Sequence, residues 1–318
     1  MSQEEPELAT KALAGLSKYE SAERLPPREP KPIISRCGTV TVRDYGGDGP
    51  PLVLVPSLIN PPSILDLDED VSLAEGVARM GKRVLLVDWG KAAARSGLSV
   101  AGHIETSLVP ILREVGEPPA LVGYCLGGTM AIAAANMAPV ERVITLAAPW
   151  NFGCYPDDAR MSLQRLWSAS RRASEQLGAL PMEVLQSAFW SLDPKRTVAK
   201  FASFAELDAD GDEARRFVTL EDWANEGEPL PFPAARELLE DLFGSDLPGK
   251  GEWRVGGKVV TDRLRYPALH ITAASDRITP AATAPQGETV QIPSGHVGMV
   301  VGSARAKLHE AIAKFLVS

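Results

Sequence analysis

The chain has 318 residues, 45% of them hydrophobic, with 33 basic against 41 acidic side chains and a formal net charge of −8. That composition suits a globular protein with a sizeable core, and the negative balance argues against a general nucleic-acid binder. Three cysteines, Cys37, Cys125 and Cys154, are too few and too scattered for a disulfide framework, so a reducing cytoplasm is the expected compartment. No apolar run reaches the roughly 20 residues of a membrane span, and the acidic opening lacks the basic leader and apolar stretch of a secretory signal. No metal-ligand cluster, internal repeat or phosphate-binding glycine loop is present.

Residues 1–35 read as an N-terminal appendage, a helix over 7–20 followed by an extended proline-rich stretch over 25–32, where successive prolines bar a helix. From Gly38 the pattern becomes strand–loop–helix. Strands are predicted over 39–45, 52–55, 83–88, 120–123, 143–147, 269–273 and 290–292, and helices over 72–80, 104–115 and 130–137. This alternation predicts an α/β fold with a mostly parallel sheet. The core spans 36–149 and 251–318, and the intervening 150–250 reads as helices over 159–176, 181–188, 194–207, 212–225 and 233–243. Every tryptophan but Trp89 and every phenylalanine but Phe315 falls between the strands at 143–147 and 269–273.

The strand at 120–123 runs into Gly123-Tyr124-Cys125-Leu126-Gly127, followed by a run of small residues. A strand turning sharply into a helix around G-x-nucleophile-x-G is the nucleophile elbow of the α/β-hydrolase fold, with cysteine here in place of serine. The turn strains the central residue and leaves no room for side chains two positions away, hence Gly123 and Gly127. In this fold the acid and the histidine follow the nucleophile in chain order. Asp276 lies in the loop leaving the strand at 269–273, and His296 in the glycine-flanked loop after 290–292, both at the sheet edge that carries Cys125. Of the other histidines, His103 precedes a helical stretch, His270 falls inside a strand, and His309 sits on a terminal helix where it is expected to be solvated.

Each residue type has a task. A free thiol with a pKa of about 8.5 is little ionised at neutral pH; His296 would take its proton, and Asp276 would fix the histidine tautomer and stabilise the imidazolium. The N–H of Leu126 would stabilise the oxyanion, with Leu58 in the Pro56–Asn60 loop as second donor. Helices inserted before the acid-bearing strand would cap this edge, with Trp150, Phe152, Trp190 and Trp223 approaching a dry acyl tunnel in which Cys125 is largely buried.

Longer stretches resemble the polyhydroxyalkanoate synthases. Residues 55–67, VPSLINPPSILDL, resemble that family's VPPxINxxxILDL segment, and Gly123-Tyr124-Cys125-Leu126-Gly127-Gly128-Thr129 its GYCxGGT box. Asp276-Arg277-Ile278-Thr279-Pro280 is similar to its DxIxP loop, and Ser294-Gly295-His296-Val297 to its GGHI loop. The matching segments span roughly residues 50–300, but the chain is short, the cap is divergent, and Pro61-Pro62-Ser63 replaces an aromatic-rich spacer. The resemblance implies Cys125 as acyl-accepting nucleophile, His296 as base and Asp276 as acid. It adds Asn60, Trp150 and Trp223 as candidate substrate contacts. It implies no cofactor, with a coenzyme A thioester of an (R)-3-hydroxy acid as substrate and a growing polyester as acceptor. A homodimer or a second synthase subunit, and the surface of a polymer granule, are the implied partners.

Two enzymatic readings stay open: an acyltransferase, or a thioesterase, esterase or intracellular depolymerase in which water is the second nucleophile. A non-catalytic granule-coat protein is a third class, disfavoured by an ordered triad. Fold alone separates none of these. A thiol exchanging with a thioester is matched in energy, which favours transfer, as does a cap that excludes water. No coenzyme A site is legible; Arg165, Arg171, Arg172, Lys195, Arg196 and Lys200 supply the cap's positive charge.

Overall fold

A computed structural model of the chain describes residues 4–26, 28–192 and 194–317. The strands are β1 (Ile33–Cys37), β2 (Val40–Asp44), β3 (Pro51–Val55), β4 (Arg83–Asp88), β5 (Ala120–Tyr124), β6 (Val143–Leu146), β7 (Ala268–Ala273) and β8 (Glu288–Ile292). They form one sheet in the order β1-β2-β4-β3-β5-β6-β7-β8. From β4 to β8 every neighbouring pair is parallel, and β2 joins β4 antiparallel. Parallel strands need crossover connections that cover both faces, so β3, β5 and β6 read as unbroken apolar runs and are buried throughout.

Two departures have local causes. β1 was expected to be part of the appendage; Ile33-Ile34-Ser35-Arg36-Cys37 shows no alternation because it pairs only with β2 at the sheet edge and leaves most of its side chains exposed. The helix predicted from residue 130 begins immediately after the elbow, as α2 (Leu126–Ala135, numbering as α1 the helix Glu4–Ser21), and every one of its residues is buried. Gly127 and Gly128 disfavour a helix by propensity, yet only glycine fits there.

Between β6 and β7 the chain forms α3 (Asp157–Leu177), α4 (Met182–Ser191), α5 (Pro194–Glu206) and α6 (Asp212–Asn225). Residues 232–260 then return to the main core, where Leu238, Leu242, Trp253 and Val255 are buried. α1 packs along α5. A β-carbon on Gly15 would lie 1.9 Å from the Phe201 carbonyl oxygen, so glycine is what lets the helices meet. Lys18 donates to the carbonyls of Phe204 and Leu207, and the Tyr19 hydroxyl to Asp222 of α6 at 2.6 Å. The stretch after α1 is tied to the core through Arg28, which pairs with Asp66 and Glu75.

Candidate active site

β5 delivers Cys125 onto a turn with φ 55° and ψ −130°, a conformation that L side chains rarely adopt. Its backbone N–H donates to the Leu146 carbonyl at 2.9 Å, tying the elbow to β6. The flanking glycines are explained by what a β-carbon would strike. At Gly123 it would sit 2.4 Å from Gly128 Cα, and at Gly127 only 2.1 Å from the Val55 carbonyl oxygen. The nucleophile's helix is thereby pressed against the end of β3 and the loop that follows it.

Asp276 and His296 leave β7 and β8 at the same edge. Asp276 Oδ1 accepts the backbone N–H groups of Ile278 and Thr279, each at 2.8 Å, which leaves Oδ2 for His296 Nδ1 at 2.7 Å. Cys125 borders the same cavity as His296. Burial alone would hold His296 neutral, but the neighbouring Cys125 and the Asp276 carboxylate outweigh it and push its pKa up to about 10. The Tyr124 ring lies 5.1 Å from the imidazole, centroid to centroid, and its hydroxyl donates to the His296 carbonyl at 3.4 Å. Of the three residues singled out by chain order, His296 and Asp276 are thus paired, and Cys125 borders the cavity that His296 lines.

The remaining histidines are engaged elsewhere. His103 is buried between Arg95 and the Ser99 carbonyl, its pKa pushed down to about 4 chiefly by burial. His270 is held by Thr145 and the Gln286 carbonyl inside the sheet. His309, expected to be solvated, is half-buried instead: its imidazole fills the space that a β-carbon on Gly76 would take, and burial lowers its pKa.

A cavity of about 470 Å³ opens over Cys125 and His296, walled by the β3 loop and by α4, α5 and α6. Trp190 and Trp223 border it, as expected, and Trp223 Nε1 donates to the Pro61 carbonyl at 2.9 Å. Asn60 lines it too, its amide donating to the Ala224 carbonyl at 3.4 Å. Trp150 and Phe152 do not reach it. The loop leaving β6 carries them into the main core, where Trp150 meets Trp253 edge-on and Phe152 meets Phe243; this corrects Trp150 as a substrate contact. Cys125 is partly exposed rather than fully covered.

Leu126 opens α2, so its N–H has no partner within the helix and is free for an oxyanion. Leu58 turns its side chain into the core, and Ser57 and Ile59 on either side of it border the cavity. Sequence reasoning also missed a polar pair in the wall: Lys200 Nζ holds both oxygens of the buried Glu221 at 2.7 and 2.6 Å. Of the cap's basic residues only Arg196 and Lys200 border the cavity, and the Arg196 guanidinium lies beside Gly295, next to His296. Helix periodicity carries no signal for such residues. Among the described residues no group of three or more His, Cys, Asp or Glu could hold a metal ion, and no helix is long and apolar enough to cross a membrane.

No protein-family model matches the chain. Among curated proteins it is similar to the poly(3-hydroxyalkanoate) polymerase subunit PhaC of Haloferax mediterranei, 28% identical over 277 residues, 80% of this chain and 55% of that one. It is equally similar to the PhaC subunit of Allochromatium vinosum, 28% identical over 289 residues that cover 84% of this chain and 80% of the relative. The chain thus spans about half the length of the haloarchaeal relative and four fifths of the other. Among solved structures, a monoacylglycerol lipase from Paleococcus ferrophilus superposes with a TM-score of 0.54 at 19% identity, over 87% of this chain and 98% of the lipase. A meta-cleavage product hydrolase from Pseudomonas fluorescens gives 0.52 at 15% identity, over 90% and 97%. The fold is that of the α/β-hydrolases, and over four fifths of its length the chain is similar to the PhaC polymerase subunits.

Proposed function

We propose that the protein is an acyltransferase that works through a Cys125–His296–Asp276 triad. It takes the acyl group of an (R)-3-hydroxyacyl coenzyme A thioester and passes it to the hydroxyl of a growing polyester. The carrying observation is the imidazole of His296, held by Asp276 through Nδ1 and lining, with Cys125 on its strained turn, one cavity roofed by helices. The Cys125 thiolate adds to the thioester carbonyl; the oxyanion is met by the Leu126 N–H and a donor of the 57–59 loop. Collapse expels the coenzyme A thiolate, which takes the imidazolium proton. The acceptor hydroxyl then gives its proton to His296 as its oxygen attacks the acyl-cysteine carbonyl, and the Cys125 thiolate leaves. Trp190, Trp223, Phe189 and Phe217 offer an apolar wall to the acyl chain, and no cofactor is needed. A homodimer, or a second subunit on the roof, and the polymer surface are the proposed partners.

Hydrolysis is the second reading, and one observation favours it: Cys125 is partly exposed, which admits water to an acyl-enzyme. Purified protein given 3-hydroxybutyryl coenzyme A separates the two. Coenzyme A release with oligomer or polymer as product supports transfer; release with stoichiometric free 3-hydroxy acid assigns a thioesterase. Cys125→Ala should abolish release in either case while Cys37→Ala and Cys154→Ala stay active, and a folded Cys125→Ala variant that retains activity overturns the triad.

A further inference from the structure

The loop beside the nucleophile is gripped from behind by three buried side chains that the chemistry above does not use. Trp89 follows β4 directly, and its indole Nε1 donates to the Pro56 carbonyl at 3.0 Å. Arg95, six residues later, donates from Nη2 to the Leu58 carbonyl at 3.3 Å. Its Nη1 meets His103 Nε2 at 3.1 Å, and His103 Nδ1 is anchored on the Ser99 carbonyl at 2.6 Å. The Trp89 ring packs edge-on against His103 at 5.8 Å. Trp89 and Arg95 are each 3% exposed and His103 is fully buried.

Two features are costly unless the arrangement has a task. Glu228 and Asp88 act on the Arg95 guanidinium without contacting it in an ion pair among the described residues, and its Nε has no hydrogen-bond partner. Burying a guanidinium with no carboxylate in direct contact is costly, and an apolar side chain would fill the volume without that cost. What the guanidinium does obtain is the Leu58 carbonyl. In a trans peptide the C=O and the N–H of the following residue point in opposite directions. Pinning the Pro56 carbonyl from behind therefore fixes the Ser57 N–H on the opposite side, and pinning the Leu58 carbonyl fixes that of Ile59. The Ile59 N–H is accepted by the Ser57 hydroxyl at 3.3 Å. Ser57 borders the cavity that contains Cys125, and the Pro56 carbonyl oxygen lies where a β-carbon on Gly127 would come within 2.6 Å, so the loop is seated on the nucleophile's helix.

We propose that Trp89 and Arg95 are positioning residues that hold the Pro56–Ile59 loop so that the Ser57 N–H completes the oxyanion hole opposite Leu126. This rests on acyl chemistry at Cys125, and holds for any acyl donor used there. The variants are Trp89→Phe, which keeps the ring and removes the donor, Arg95→Met, and Arg95→Lys, which can still reach one carbonyl. Two acyl donors are used, 3-hydroxybutyryl coenzyme A and a p-nitrophenyl acyl ester that reports acylation by its burst. Alkylation of Cys125 by iodoacetamide, read by peptide mass spectrometry, reports the thiolate without forming an oxyanion. Losing a well-placed oxyanion donor costs about 10²–10³ in rate, and a loosened one should cost about 10- to 100-fold. The expected result is that fall in acylation in Trp89→Phe and Arg95→Met, with KM and alkylation within about twofold of the parent and partial recovery in Arg95→Lys.

Acylation within about threefold of the parent in both variants overturns the proposal. So does alkylation that falls in step with acylation, or Arg95→Lys no better than Arg95→Met. Should Arg95→Met fail to fold, Trp89→Phe decides alone. A parent that ignores the coenzyme A thioester but shows the ester burst removes the synthase reading and still tests the clamp; a parent acylated by neither removes both.

Discussion

Cys125 sits at φ 55° and ψ −130°, and the cost of holding a side chain there can be isolated by comparing Cys125→Ala with Cys125→Gly. Both variants lack the sulfur, so lost chemistry and lost contact with His296 cancel. What differs is one β-carbon. A residue held in a sparsely populated backbone region costs of order 1–3 kcal/mol, which glycine relieves. Against this stand about 0.4–1 kcal/mol for the greater freedom of glycine in the unfolded chain, and a fraction of the ~0.8 kcal/mol of a fully buried methylene, since the site is partly exposed. The balance favours Cys125→Gly by about 1 kcal/mol. At an ordinary helical position the order is reversed, alanine winning by about 1 kcal/mol. Urea unfolding followed by tryptophan fluorescence measures the difference, provided the two m-values agree. A Cys125→Ala protein more stable than Cys125→Gly by ~0.5 kcal/mol or more would refute the reasoning, because the elbow would then be unstrained.

The surroundings of His296, Cys125 foremost and Asp276 with it, predict a pH dependence. A folded pKa raised to about 10 from an ordinary 6.5 gives stability that is fully present below about pH 6.5 and is lost as pH rises toward 10. Asp276→Asn should lower that pKa and flatten the decline, seen as a smaller drop in the urea midpoint between pH 6.5 and 10; parallel profiles for parent and variant would contradict it. At the helical seam, Gly15→Leu forces a side chain into the Phe201 carbonyl and should destabilise the protein by about 1–3 kcal/mol. It should also speed proteolysis near residues 20–26 and raise the share of free acid in the product; an unchanged protease pattern would mean that α1 does not hold the roof.

What could be read from the sequence was set by how local each cause is. Buried parallel strands appear as largely apolar runs wherever they stand, which is why β3 to β7 were legible to within a residue or two. The Cys125 turn and the Asp276–His296 pair were legible because only one thiol had a glycine two positions away on either side, and only one histidine stood in a glycine-flanked loop after a late strand. β1 was not, because an edge strand with one neighbour need not alternate. Trp150 and Phe152 were assigned to the roof because they follow β6 in the chain. Their backbone actually turns inward, with the N–H groups of Trp150 and Asn151 both donating to the Thr283 carbonyl, a contact 133 and 132 positions away. The Lys200–Glu221 pair and the clamp on the Pro56–Ile59 loop depend on juxtapositions of the same kind, which no periodicity reports.

The seam between α1 and the roof bears on the order in which the molecule assembles. Tyr19 reaches Asp222 across 203 positions and Lys18 reaches Phe204 across 186. Closing loops of that length carries an entropic cost that grows with their logarithm, and contacts so distant in sequence are late to form. The elbow draws on β3, β5, β6 and the first turn of α2, all within residues 51–146. A folding chain therefore presents Cys125 on its turn before α1 has locked α5 and α6 above it. On the proposed chemistry an acyl group on Cys125 would face bulk water during that interval, so the docking of the first helix, rather than the formation of the turn, would mark the moment when transfer becomes separable from hydrolysis.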